Sequence, residues 1–172
     1  SYMVAQDEID LMDRLYFESF RLGALTPDLR VVEPLMRDSD IVSMDMTSVK
    51  SNELQGGLTQ VNGFTAQQFC ALGRYVGISD RVRFVGMQNI PDTSAAANLT
   101  AQTMWYIIEG MHFRVNEYPF STKENCVKYV VTCDNQELVF YQSSVSKRWW
   151  LEVQAEQDSN QEIRLISCAE ND

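Results

Sequence analysis

The sequence predicts an α/β fold built on a parallel sheet and joined to a C-terminal antiparallel β appendage. Two observations predict it. From residue 16 to residue 111, short β-type runs alternate with helix-type stretches, the pattern of a parallel sheet with covering helices. After Pro119, β-type runs follow one another across turn residues with no helix between them. A boundary near residue 118 therefore separates an α/β part, residues 1–118, from a hairpin-rich part, residues 119–172.

The first element is YFESFRL, residues 16–22, whose aromatic and alternating character ends at Gly23 and predicts a strand followed by a turn. A short helix follows. Pro34 suits its first turn, where a missing N–H costs nothing, and it ends at the acidic break Asp38-Ser39-Asp40. IVSMDM, residues 41–46, reads as the second strand. Residues 47–61 lack a helical period and contain Gly56-Gly57, so they form a long loop leaving that strand's end; loops of this length are often functional.

Thr65-Ala66-Gln67-Gln68 matches a capping box, with Phe64 and Phe69 as its hydrophobic staple. The helix it opens keeps Phe69, Leu72 and Val76 on one stripe and stops at Gly77, a residue suited to the left-handed position after a helix end. VRFVGM, residues 82–87, is the third strand. From Ser94 to Met111 the chain is helical and apolar nearly all round, which predicts packing on two sides. In the appendage, residues 126–133 and 137–143 flank Asp134-Asn135-Gln136 as a hairpin, and residues 149–153 and 163–167 add two strands. Val127, Tyr129 and Val131 fall on one hairpin face and Cys126, Lys128 and Val130 on the other, so one face must be covered.

Composition narrows the function. The 172 residues are 45% apolar, 22% charged and 10% aromatic, enough for one packed core. With 14 Lys and Arg against 24 acids, a net charge of −10 argues against a nucleic-acid partner, because no basic stripe exists to displace counterions. No apolar run suits a membrane span, and the opening SYMVAQDEID lacks signal-peptide grammar; the reading is a cytoplasmic protein. Cys70, Cys126, Cys133 and Cys168 show no zinc-ligand spacing and read as buried free thiols. The closing CAEND offers no capping element, as expected of a piece of a longer chain.

Ligands of open α/β sheets bind beyond the carboxyl ends of the strands. Two such ends stand out, Asp45-Met46-Thr47 and Gln88-Asn89. A carboxylate closing an apolar strand needs a cation or hydrogen-bond donors, so Asp45 is either a metal ligand or general base, or a cap for loop N–H groups. His112 falls near a helix end and reads as a partly exposed structural histidine. Asp92, beside Pro91, reads as the turn residue that starts the long helix. Trp149 and Trp150 face opposite sides of a strand, one buried and one set against a partner subunit.

At this point the chain resembles a family. DSDIVSMDMTSVK (38–50), NGFTAQQFCALGRYVG (62–77) and VGMQNIPDTSAAANLTAQTMWYIIEG (85–110) resemble the second half of the ureohydrolases, the arginase, agmatinase and formimidoylglutamase family. ELVFYQSSVSKRWW (137–150) is similar to the tail of the arginase/formimidoylglutamase-like proteins of Bacteroidetes. The resemblance runs from about Tyr16 to Asp172. It implies a three-layer α/β/α sheet and, in active members, a manganese pair that activates a bridging hydroxide against a guanidino or amidino C–N bond.

The resemblance places the family's metal-binding Asp-x-Asp at Asp45 and Thr47, with a neutral hydroxyl at the second position. Gln88 stands where the family has an acidic residue, on the substrate side with Asn89. The family's upstream histidine and Asp-x-His-x-Asp segment are not in this sequence, so no manganese is expected on this chain alone. Two functions follow: a degenerate portion with a structural or assembly role, partnered by an N-terminal half or a second copy, or part of an active manganese-dependent hydrolase of a linear guanidine or amidine whose other ligands lie outside this chain.

Overall fold

The computed structural model describes residues 4–55, 61–117, 125–133, 136–157 and 160–169, with side chains at all of these except 154–157 and 160–162. Helix α1 (Gln6–Arg14) opens with Asp7 and Glu8, whose charges suit the positive end of the helix dipole, and it buries no residue. No strand forms over 16–22. Tyr16 turns the chain at φ 56°, residues 17–21 have no regular structure, and α2 (Leu22–Leu25) begins inside the expected strand. A strand needs a partner edge and a covered face; Phe17 and Phe20 have neither, and both are exposed.

A 3-10 turn (Leu29–Val32) capped by Asp28 leads into α3 (Glu33–Asp38), with Pro34 in its first turn as expected. Strand β1 (Ile41–Asp45) follows, one residue shorter than expected because Met46 opens a 3-10 turn (Met46–Ser48), and that turn and α4 (Ser51–Leu54) occupy the start of the segment expected to be a loop. Residues 56–60, with Gly56-Gly57, lie outside the described residues. Helix α5 (Ala66–Ile78) has the expected capping box: Gln68 N donates to Thr65 Oγ1 at 3.2 Å, and Thr65 N donates to Gln68 Oε1 at 2.9 Å. Strand β2 (Phe84–Gln88) begins two residues later than the expected strand, and α6 spans Ser94–His112.

β1 and β2 pair in parallel, Ile41 with Phe84 through Asp45 with Gln88, as a two-stranded sheet. Val42 and Met44 face a core shared with Phe69, Leu72 and Val76 of α5 and Leu99 of α6. Each such side chain, fully buried, contributes about 1.5–3 kcal/mol relative to exposure. On the other face Ile41 is 70% exposed and Phe84 62%, so helices cover one side of the sheet.

Helix α6 also differs from expectation. Its buried residues, Ala96, Leu99, Thr103 and Gly110, form one stripe, whereas Met104, Trp105, Ile108 and Met111 are exposed. Among the described residues it packs on one side, and the apolar residues of its second face are exposed. The crossing with α5 is close. A Cβ on Gly77 would stand 2.1 Å from the Ile107 carbonyl oxygen, and one on Gly110 would stand 2.5 Å from that of Arg74. Gly77 is therefore a contact glycine inside α5, and no described glycine has a positive φ.

The appendage is a four-stranded antiparallel meander of β3 (Cys126–Cys133), β4 (Gln136–Ser143), β5 (Trp149–Gln157) and β6 (Asn160–Cys168), in that order. Edge strand β3 has Val127, Tyr129, Val130 and Val131 exposed, which takes in both hairpin faces; burial falls instead on Tyr141 and Ser143 of β4 and Trp150 of β5. The boundary near residue 118 lies outside the described residues. Among the described residues no disulfide is found, and only Cys70 of the four cysteines is buried; Cys133 is exposed and Cys126 and Cys168 are half-buried. Among the described residues no helix is long and apolar enough to cross a membrane.

Candidate functional site

Asp45 ends β1 and caps the 3-10 turn that follows. Its Oδ1 accepts from the backbone N and the Oγ1 of Thr47, both at 2.8 Å, and its Oδ2 accepts from Asn89 Nδ2 at 2.8 Å. Asn89 reaches it from the end of β2 by adopting φ 52°, a left-handed conformation that asparagine tolerates better than most residues. The Thr47 backbone bond holds the Asp45 carboxyl below its usual value; partial burial opposes this, and the Thr47 hydroxyl and Asn89 add to the lowering. The carboxylate is thus ionised and held by neutral donors.

Three of the sequence-predicted residues, Asp45, Thr47 and Asn89, therefore meet at one end of the sheet. Gln88 stands beside Asp45 in register but is exposed. A paired-manganese site does not fit this donor set. Asp45 is the one carboxylate among these four residues, Thr47, Gln88 and Asn89 are neutral, and a divalent ion pair needs several anionic ligands. Among the described residues no group of three or more His, Cys, Asp or Glu converges.

The other candidates are dispersed. His112 ends α6, exposed, with its ring 5.6 Å from that of Phe113 in an edge arrangement. Asp92 is exposed in a bend, and the residue that starts α6 is Thr93, whose Oγ1 accepts from Ala96 N at 3.1 Å and donates to the Leu54 carbonyl at 2.7 Å. Trp150 is buried, and the half-buried Trp149 lies with its ring 5.0 Å from that of Tyr129.

Sequence reasoning missed the charged joint between the two parts. Arg37, buried in α3, donates to both Glu33 carboxylate oxygens and to the Trp149 carbonyl at 2.9 Å. Arg148 stands 3.3 Å from Glu33 and 3.8 Å from Asp80, and donates to the Ile78 carbonyl. Asp38 accepts from the backbone and hydroxyl of Ser167, and Glu117 accepts from Ser143 and Ser146. The one available signal was Lys147-Arg148 directly before two tryptophans in an acidic chain. The chain matches no protein-family model and no curated protein sequence.

Proposed function

We propose that this chain is the C-terminal portion of a ureohydrolase-like protein, of arginase/formimidoylglutamase type, with a structural or assembly role and no hydrolysis of its own. One observation carries the reading. Where the resemblance puts a metal-binding Asp-x-Asp, Asp45 is the only carboxylate, and its hydrogen-bond partners are the neutral Thr47 and Asn89. A hydroxide activated between two ions needs several anionic ligands to hold those ions.

The three-layer architecture belongs to the same proposal. β1 and β2 contribute two parallel strands and one helical layer, and the partner, an N-terminal half or a second copy, supplies the rest. Parallel sheets are covered on both faces, and the exposure of Ile41 and Phe84 on one face supports a missing cover.

The test is manganese calorimetry and elemental analysis on the natural full-length protein, with hydrolysis assays on arginine, agmatine and formimidoylglutamate. No stoichiometric manganese pair and no product is the expected result. Two ions per chain retained through dialysis, with turnover of any of the three substrates, would overturn it in favour of an active hydrolase whose other ligands lie outside this chain.

A further inference from the structure

A cleft of about 590 Å3 opens at the joint between α3, the end of α5, the end of α6 and the β4–β5 turn. That volume is in the range of small-molecule sites. It lies at the opposite end of the parallel strands from Asp45, because α3 and α5 run into the first residues of β1 and β2, whereas Asp45 and Asn89 leave the last. Tyr75, Ile78, Phe113, Val115 and Trp149 give it an apolar wall. Burial, with the nearby Asp28 carboxylate, raises the Tyr75 phenol above its ordinary value, so that ring is a neutral donor.

The charges in this wall do not balance. Arg30, Arg37, Arg74, Lys147 and Arg148 line it against only Asp28 and Glu33, in a chain whose net charge is −10. Asp28 is held by Arg30, whose hydrogen bonds lower its carboxyl to about 2. Glu33 is shared by Arg37 and Arg148. Among the described residues no lining carboxylate remains for the other two cations. Arg74 lies over the Phe113 ring, 5.4 Å from its centroid, and only 4.0 Å from Glu109 at best; Lys147 makes no ion pair among the described residues. Cations from two different elements thus flank a cleft with aromatic walls.

We propose that this cleft binds a small organic anion, a carboxylate or phosphate group carried on an aromatic body, with Arg74 and Lys147 meeting the charge and Tyr75, Phe113 and Trp149 holding the ring. Such a ligand touches both parts of the chain and strengthens their joint. The proposal is independent of the ureohydrolase reading.

Calorimetry on the purified protein tests it, using indole-3-acetate and AMP beside their uncharged counterparts indole-3-acetamide and adenosine, with inorganic phosphate as a further arm. The indole proton of Trp149 provides a second readout by NMR, since Trp149 Nε1 has no hydrogen-bond partner among the described residues. At least one of the two anions binds about tenfold or more tighter than its neutral counterpart, indole-3-acetate against its amide reporting on the carboxylate and AMP against adenosine on the phosphate. Arg74→Ala and Lys147→Ala, with circular dichroism unchanged, each weaken it about five- to tenfold. The proposal is overturned if neither anion binds by about 10 mM. It is equally overturned if the neutral compounds or phosphate alone bind as tightly, or if both variants bind like the parent protein.

Discussion

The Arg37 guanidinium lies over the Trp150 indole, with its Cζ 4.8 Å from the ring centroid. This one side chain joins the helix that precedes the parallel sheet to the centre of the antiparallel one. It is 5% exposed, and it also pairs with Glu33 and donates to the Trp149 carbonyl. Truncation would leave the Trp149 carbonyl without this donor and the half-buried Glu33 with Arg148 alone, so Arg37→Ala is expected to cost about 1.5–3 kcal/mol in urea unfolding. Lysine keeps the charge and loses the fork and the stacking, so Arg37→Lys should recover less than half of that.

The two tryptophans should separate in stability. Trp150 is 6% exposed, and Trp150→Ala is expected to cost about 3–5 kcal/mol. Trp149 is only half-buried, so Trp149→Ala should cost clearly less. Equal midpoints for the two variants in thermal unfolding would refute this assignment.

At the α5–α6 crossing two effects oppose each other in Gly77→Ala. Helix propensity gains about 1 kcal/mol, and overpacking costs about 1–3 kcal/mol. The added carbon would stand 2.1 Å from the backbone oxygen of Ile107, which cannot rotate away, so the cost wins and the variant is destabilised. Gly23→Ala, where nothing lies within 4 Å, is the control and should be neutral or slightly stabilising.

Asp45 sets an acid dependence whose sign follows from its lowered pKa. Its folded value lies below the ordinary 3.8, so its contribution is fully present above that pH and is lost as pH falls through the folded value. Asn89→Ala removes one donor from the charged form. NMR titration of the Asp45 carboxyl carbon should therefore show an upward shift toward 3.8 in the variant, and an unchanged titration would show that Asn89 does not hold the charge.

The uncovered face of β1–β2 should govern self-association. Light scattering over a wide concentration range is expected to show a rising mass, reduced in an Ile41→Lys, Phe84→Lys double variant, because these two residues adjoin on the exposed face. A monomer at every concentration would count against a subunit contact between copies here.

Elements with local chemical punctuation were legible in the sequence. The Thr65 and Gln68 capping box, Pro34 in the first turn of α3 and the antiparallel pairing of the strands on either side of Asp134-Asn135, two residues outside the described ones, all fell in place because their signals lie within a few residues. The failures share a different cause. Phe17 and Phe20 read as strand because alternation shows that a residue is apolar and not whether a neighbour covers it. Gly77 was read as a helix end because a close approach by Ile107, thirty positions away, leaves no trace beside it. At the candidate site, Asp45 was found from its place at the end of an apolar run, and its capping role was one of the two readings; the donor from Asn89 depends on a pairing across 44 residues. The joint of Arg37, Glu33, Arg148 and Asp80 is likewise assembled from distant segments.

The two sheets also differ in how far apart along the chain their partners lie, and that separates them in time. Ile41 must find Phe84 across the whole of α5 and its loops before β1 and β2 can pair, whereas each strand of the meander pairs with its immediate successor. Closing a short loop costs less chain entropy than closing a long one, so the antiparallel unit has the lower kinetic barrier. During refolding, the amides of β4 and β5 should acquire protection from exchange before those of β1. The C-terminal sheet then presents Trp150 to α3 as a formed surface, and the Arg37 contact is made by docking two pieces of structure.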